Sequence, residues 1–294
     1  SFSEHYDYLV LATGGAARRP PWASKGLDGV CTLRTLEDGI ALRAFIEQRR
    51  PRHAVVVGTG FIGLEMVEAF ARCGLDVTLI GRSQHLLGQF DRAFAAPVFD
   101  ALNHCGVSLH LGAEVRAIEG ADGRVTGVVS DAGRHAADLV LVATGLRPSG
   151  ELARAAGLSV GTSGAITVDE RMQTDRPGIW AAGDCIEVKH IVSGEKVFAP
   201  LALTANRTGR IAGDQIGAHA VGSALTVETG PADILALLAS LAYIQQGDIV
   251  VQSFGAHQGC AAAGDRVSGM MKNCGSRSEE HTSELQSPCN LVCR

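Results

Sequence analysis

Six consecutive residues, Gly58-Thr59-Gly60-Phe61-Ile62-Gly63, hold the most specific chemical signal in the chain. They follow the apolar run Ala54 to Val57 and open a helical pattern, Phe61 to Arg72. In that setting each glycine has its own task. Gly58 permits a tight turn, Gly60 lets the backbone approach a pyrophosphate, and Gly63 allows close helix–strand packing. The helix N-terminus behind them offers uncommitted N–H donors and partial positive charge to an anion. The spacing points to a dinucleotide. Gly145, at the end of a later strand, belongs with this set.

The residue that closes the second strand of such a unit selects the dinucleotide, because a carboxylate there binds the ribose hydroxyls. Here the position is Gly81, followed by Arg82 and Ser83. Nothing there repels a 2′-phosphate, and Arg82 can pair with one. The reading leans to NADP over NAD, with a merely solvated Arg82 as the plain alternative. Glu65 lies in the first helical turns, where the dipole alone stabilises a carboxylate; its other reading is a group that places the nicotinamide. Gly183-Asp184 ends a short apolar strand, where a carboxylate can accept from sugar or ribityl hydroxyls, although a capping Asp is the commoner arrangement. The helix beginning near Leu201 presents a terminus able to stabilise negative charge on a reduced flavin.

Eight cysteines (Cys31, Cys73, Cys105, Cys185, Cys260, Cys274, Cys289, Cys293) form no CxxC pair and no metal-ligand spacing with histidine. No metal is expected, and the plain reading is reduced thiols in a cytoplasmic protein. Cys31, Cys73 and Cys105 read as structural; Cys185, beside Asp184, either packs or approaches a cofactor.

These groups must be held by elements the sequence also marks. Tyr8 to Leu11 is a strand ending in Ala12-Thr13-Gly14, and Arg18-Arg19-Pro20-Pro21 must be a loop. Leu42, Phe45 and Ile46 share a helix face that Pro51 terminates. Ala54–Val57, Phe61–Arg72 and Asp76–Ile80 give a βαβ unit stopped at Gly74. A helix over Ala95–Cys105, with Pro97 in its first turn, precedes the strand Val107–Leu111. Between Val115 and Ala143 three strand-like runs are separated by Gly120–Gly123 and Asp131–Gly133, a meander whose third run is Asp138-LVLV-Ala143. A small helix (Glu151–Ala156), two strands ending in Gly183-Asp184-Cys185, and a helix over Pro200–Ala218 with proline near its first turn follow.

At 294 residues and 46 % hydrophobic content the chain can bury two domains. Its net charge of −5 and absence of basic blocks argue against nucleic acid or an anionic membrane as partner. The longest apolar run, Ile234–Ile244, is interrupted by Ser240 and is too short to span a bilayer. No leader pattern is visible. The opening SFSEHYDYLVLATGG reads as the last strand of a domain already under way, so a fragment is expected. Arg277–Arg294, RSEEHTSELQSPCNLVCR, resembles the conceptual translation of a short-read sequencing adapter, which removes Cys289 and Cys293 from functional consideration.

The order of motifs, DYLVLATG, LRTLEDG, VVVGTGFIGLEMVE, ATGLRP, AAGDC and PLALTANRTGR, resembles the FAD- and NAD(P)-dependent pyridine nucleotide–disulfide oxidoreductase family, nearest its coenzyme A-disulfide reductase, NADH oxidase and persulfide reductase branch. The likeness runs from about Tyr6 to Ala218. It implies an α/β fold in which a Rossmann-like NAD(P)-binding domain with a three-stranded β-meander is inserted in a split, incomplete FAD-binding domain. The implied segments are 1–33 and 148–220 for FAD and 34–147 for NAD(P). Residues 221–276 do not match the family's dimerisation domain and read either as a degenerate form of it or as a shifted frame, and 277–294 reads as the adapter-like tail.

By the same resemblance Ala12, Thr13, Gly14 and Arg18 line FAD, Gly183 and Asp184 hold its ribityl chain, and Pro200, Leu201, Ala202 and Thr204 face the isoalloxazine. Gly58, Thr59, Gly60, Phe61, Ile62, Gly63, Glu65, Arg82 and Gly145 receive the pyridine nucleotide. A first glycine motif and a redox cysteine are expected upstream of Ser1, within about 100 residues, one small domain's worth. The implied activity passes hydride from NAD(P)H to FAD and on to a disulfide, persulfide or oxygen, in a homodimer serving cell redox homeostasis. Two alternatives stay open: ferredoxin or rubredoxin reductase-type electron transfer, and a truncated chain that only binds pyridine nucleotide.

Overall fold

Strands β1 (Leu9–Leu11) and β2 (Gly15–Ala17) open the computed structural model, which describes residues 4–23, 26–88 and 90–220. The described residues separate into two compact units. One takes the residues up to Ala16 together with those from Leu146 onward; the other is the contiguous stretch Ala17–Gly145.

In the contiguous unit, β3 (Val30–Cys31) leads to α1 (Leu36–Arg49). Thr35 and Asp38 form a reciprocal capping box at its start, the Asp38 N–H donating to Thr35 Oγ1 (3.2 Å) and the Thr35 N–H to Asp38 Oδ2 (3.0 Å). Next come β4 (His53–Val57), α2 (Phe61–Arg72), β5 (Asp76–Gly81), α3 (Arg92–His104) and β6 (Ser108–Leu111). A meander of β7 (Val115–Ala121), β8 (Arg124–Ser130) and β9 (Gly133–Ala136) precedes β10 (Leu139–Val142). The sheet order is β3-β10-β4-β5-β6 with every neighbour parallel, and β7-β8-β9 is a separate antiparallel sheet.

Side-chain alternation in the central strands decides the layering. Ala54, Val56, Leu79, Leu139 and Leu141 pack with Leu42, Met66, Val67, Phe70, Val98 and Leu102 of the helices. Val55, Val57, Ile80, Val140 and Val142 point the other way, against Val115, Ile118, Val125 and Val128 of the meander. The middles of the central strands are mostly apolar because both faces are covered, as is usual in parallel sheets.

Three expectations need correction. The run Asp138–Ala143 is not the third meander strand. That strand is the mostly exposed Gly133–Ala136, while the four fully buried residues of β10 insert between β3 and β4. Burial divides the two: each of the four apolar side chains of β10 contributes about 1.5–3 kcal/mol when enclosed on both sides, whereas β9 fits an edge. Helix α3 starts earlier than Ala95, because Asp91 caps it by accepting from the Ala93 N–H (2.9 Å). Pro97 consequently lies inside the helix, on its exposed side, where water can reach the carbonyl it leaves unpaired. The last helix begins two residues beyond Pro200.

In the other unit β11 (Leu146–Pro148), α4 (Glu151–Ala155), β12 (Ile166–Thr167), β13 (Ile179–Ala181), β14 (Ile186–Lys189), β15 (Lys196–Val197) and α5 (Ala202–Ala220) follow in order. β13 runs parallel to β1, and β12-β14-β15 form a small sheet. Leu11, Ile166, Val168, Met172, Ile179, Trp180, Ile186 and Ala212 make this unit's core. The expectations placed on 221–276 and 277–294 lie outside the described residues.

Candidate functional site

In the parallel sheet the chain first builds outward from β4 through β5 to β6, then returns to lay β10 on the opposite edge of β4. The strand order therefore reverses between β4 and β10, and the carboxyl ends of strands at such a reversal are where open α/β sheets take ligands. Gly58 leaves β4 there with φ +124. Its N–H donates to Ile80 O (2.9 Å), and the Ala143 N–H donates to Val57 O (2.8 Å). A Cβ at Gly58 would stand 2.1 Å from Ala143 O, and one at Gly63 would stand 2.0 Å from Gly58 O. The turn closes only with glycine at both positions.

Gly60 is the N-cap of α2 and supplies no side-chain cap, and a Cβ built on it meets nothing within 4 Å. The first N–H groups of α2 have no partner within the helix, and no side chain at Gly60 caps them. That cradle fits a pyrophosphate, which the N–H donors and the helix dipole would hold. Phe61, half-buried in the first turn, meets Phe90 edge to face at 5.9 Å, and Ile62 packs beside it on the helical core. Thr59 is buried, with its carbonyl accepting from the Leu87 N–H (3.0 Å), so the glycine loop is tied to the segment after β5. Its methyl group fills the space over Gly81, where a Cβ would lie 2.2 Å away.

Arg82 follows, exposed and in no hydrogen bond or ion pair with another described residue. Glu65 is half-buried on α2. Gly145 has φ +99 and accepts from the Arg18 N–H (2.9 Å), while Thr144 Oγ1 donates to Arg18 O (3.1 Å). The backbone of Arg18, expected on the flavin side, is therefore fixed by the second Ala-Thr-Gly.

In the other unit the parallel pair β1 and β13 ends together, and the Ala182 N–H donates to Leu11 O (3.0 Å). Ala12, Thr13 and Gly14 leave one strand beside Ala182, Gly183 and Asp184 leaving the next. Thr13 Oγ1 donates to Ser149 O (2.6 Å), and the Ser149 N–H donates to Gly14 O (2.9 Å). Gly183 has φ +83, and its N–H donates to Thr208 Oγ1 (3.0 Å) from buried Thr208 on α5. Thr208 in turn donates to Thr204 O (2.8 Å). Asp184 is half-buried; Pro200 and Thr204 are half-buried and Leu201 and Ala202 exposed around the start of α5. A carboxylate at a strand end beside a helix start suits the hydroxyls of a ribityl chain, so these residues fit the group expected there. Thr208 and Ser149 escaped sequence reasoning: each acts through a backbone partner distant along the chain.

Cys31, Cys73 and Cys185 are not in disulfides. Cys31 Sγ donates to Val140 O (3.5 Å), and burial pushes its thiol up to about 12, against a smaller opposing pull from Arg19. Cys185 is buried in its unit's core and donates to Ala182 O (3.2 Å), a packing role. Cys73 caps the end of α2 and is exposed. Among the described residues, no cluster of three or more His, Cys, Asp or Glu is placed to hold a metal, and no helix is long and apolar enough to cross a membrane.

Residues 2–209 match the family described as pyridine nucleotide-disulphide oxidoreductase. An NAD(P)H sulfur oxidoreductase (CoA-dependent) of Pyrococcus furiosus is 40 % identical over 216 residues, which cover 73 % of this chain and 48 % of that protein. An NADH oxidase of Methanocaldococcus jannaschii is 41 % identical over 216 residues, again 73 % of this chain and 48 % of the other. The solved structure of an NAD-dependent persulfide reductase from A. fulgidus superimposes with TM-score 0.69 at 39 % identity, covering 72 % of this chain and 40 % of that one. The chain spans about half the length of the curated relatives it matches.

Proposed function

Because the chain belongs to the pyridine nucleotide-disulphide oxidoreductase family, we propose that it is part of a flavin-dependent enzyme that passes hydride from NAD(P)H to FAD and on to a disulfide, a persulfide or oxygen. The observation that supports this most is the uncapped start of α2, opening beyond the Gly58–Ala143 closure where strand order reverses. Gly58 to Gly63, Glu65, Arg82 and Gly145 take the pyridine nucleotide in this reading. The chain's N–H groups at the start of α2 hold the pyrophosphate, and Arg82 pairs with a 2′-phosphate, which favours NADP over NAD. Ala12, Thr13, Gly14, Arg18, Gly183, Asp184, Pro200, Leu201, Ala202 and Thr204 take FAD, with Asp184 accepting from the ribityl hydroxyls. FAD, when bound, supplies the hydride-accepting ring. The enzyme works on a small disulfide or persulfide, in the cytoplasm and as a homodimer.

The purified chain, supplied with FAD, is expected to give a stoichiometric yellow complex that NADPH bleaches. Absence of flavin binding would sink catalysis by this chain and leave pyridine-nucleotide binding alone.

One observation favours the second reading, electron delivery to a ferredoxin- or rubredoxin-type partner. A rubredoxin-NAD(+) reductase of Pseudomonas putida is 36 % identical to this chain over 194 residues. A redox cysteine encoded upstream, soon after a first glycine motif, would decide for disulfide or persulfide chemistry.

A further inference from the structure

Glu65, Glu68 and Arg72 recur at i, i+3 and i+7 along α2, so they lie on one face of the helix. The opposite face buries Gly63, Met66, Val67 and Phe70. Both glutamates are half-buried, whereas Arg72 is exposed. Two carboxylates one turn apart, each partly removed from water, repel more strongly than surface charges do. The same helix points its N-terminus into the dinucleotide crevice. Glu68 is its eighth residue and stands about 10 Å along the axis from the first turn.

We propose that Glu68 is a proton-linked positioning residue for the dinucleotide site, carrying a proton when dinucleotide is bound and weakening that binding when it ionises. This rests on the reading that the start of α2 receives the pyrophosphate. Burial chiefly, with the Glu65 charge adding and Arg72 opposing, pushes the Glu68 carboxyl up to about 7, so its proton is exchangeable at neutral pH. The titratable groups on the strands packed against α2 are His53 on β4 and Asp76 on β5, and they face each other instead (Nδ1 to Oδ2 3.5 Å). Arg82 and His85 follow β5 on the segment joined to the glycine loop.

Bound pyrophosphate brings negative charge to the helix that already carries Glu65 and so favours the neutral form of Glu68. Binding must then draw a fraction of a proton from solvent, and affinity must fall as pH rises through neutrality. A unit charge about 10 Å away, partly screened by salt, corresponds to roughly a three- to tenfold change in affinity.

The test measures NADH affinity of the whole chain by fluorescence between pH 6 and 8.5; NADH lacks the 2′-phosphate, which would titrate in this range itself. Wild type is expected to lose about three- to tenfold in affinity across the range, and Glu68→Gln to hold its acid-side affinity throughout. An equal fall in Glu68→Gln, or a flat wild-type profile, overturns the proposal while leaving the dinucleotide site intact. Binding of neither NADH nor NADPH at any pH overturns the site assignment and the proposal with it; if only NADPH binds, the wild-type and Glu68→Gln profiles are compared with it, and equal profiles refute the linkage. Should Glu68→Gln not fold, calorimetry of wild type at pH 7 in two buffers of different ionisation enthalpy decides, and binding without proton uptake refutes the linkage.

Discussion

A single methyl group is enough to break the glycine turn after β4, since a Cβ at Gly58 meets Ala143 O at 2.1 Å and one at Gly63 meets Gly58 O at 2.0 Å. The Gly63–Gly58 requirement acts within a few residues and was readable from the sequence, whereas the Gly58–Ala143 contact is made only by folding. Gly81 has a different cause: the Thr59 methyl occupies the place of any side chain there. A side chain at this position would therefore displace the Thr59 methyl, and the proposed 2′-phosphate contact rests on the next residue, Arg82, which is exposed. Replacing Arg82 by Glu removes a charge-assisted pair and adds repulsion. NADPH affinity should fall about 10- to 100-fold, the size of one or two kcal/mol-scale charged hydrogen bonds, while NADH affinity changes little. Titrating wild type and Arg82→Glu with both nucleotides checks this, and equal effects on the two would remove Arg82 from phosphate recognition. What local pattern did not reveal at this scale were Thr208 and Ser149, whose hydrogen bonds to Gly183 and Gly14 span distances that only folding brings together.

Among the elements, α2 was legible to its end residues because periodicity, glycine start and Gly74 stop agree. β10 was assigned to the wrong sheet, since an apolar LVLV after a turn signal fits an edge strand or a central one equally well. Tertiary burial, which sequence does not display, chose the centre. The same sheet-and-meander layering sets a histidine of each against the other: His110 on β6 and His135 on β9 have ring centroids 4.4 Å apart, and His135 Nε2 shares a hydrogen bond with Ser130 Oγ (3.0 Å). Burial, and secondarily the His110 charge, hold His135 below the ordinary 6.5. The native state then binds fewer protons than the unfolded chain, so its contribution is present above pH 6.5 and is lost as pH falls through the lowered folded value. Between pH 7.5 and 5.5 the urea midpoint of wild type should drop more than that of His135→Gln. Parallel curves would show that the pair does not sense pH.

Across the whole molecule the decisive fact is continuity. One unit is assembled from two separated stretches, up to Ala16 and from Leu146, whereas Ala17–Gly145 is uninterrupted. That uninterrupted stretch owns both faces of its parallel sheet, one packed on α1, α2 and α3 and the other on the meander, and it contains the entire glycine turn. Its length is ordinary for an autonomous domain. The exposed carboxylate that opens β10 is also partnered within this stretch: Asp138 accepts from the Arg52 and His53 N–H groups (2.9 and 3.0 Å). Burial, the largest single effect, pushes that carboxyl up, and those donors with their neighbouring charges outweigh it and leave it lowered. Residues 17–145 expressed alone should therefore fold cooperatively and bind NADPH. Saturation at 100 times the dissociation constant should add about 2.7 kcal/mol to their unfolding free energy, whereas FAD should add nothing. Denaturant unfolding with and without each cofactor measures both. An unfolded segment, or one stabilised by FAD and not by NADPH, would refute the assignment of the pyridine nucleotide to this unit, because every residue proposed to hold it lies between these two ends.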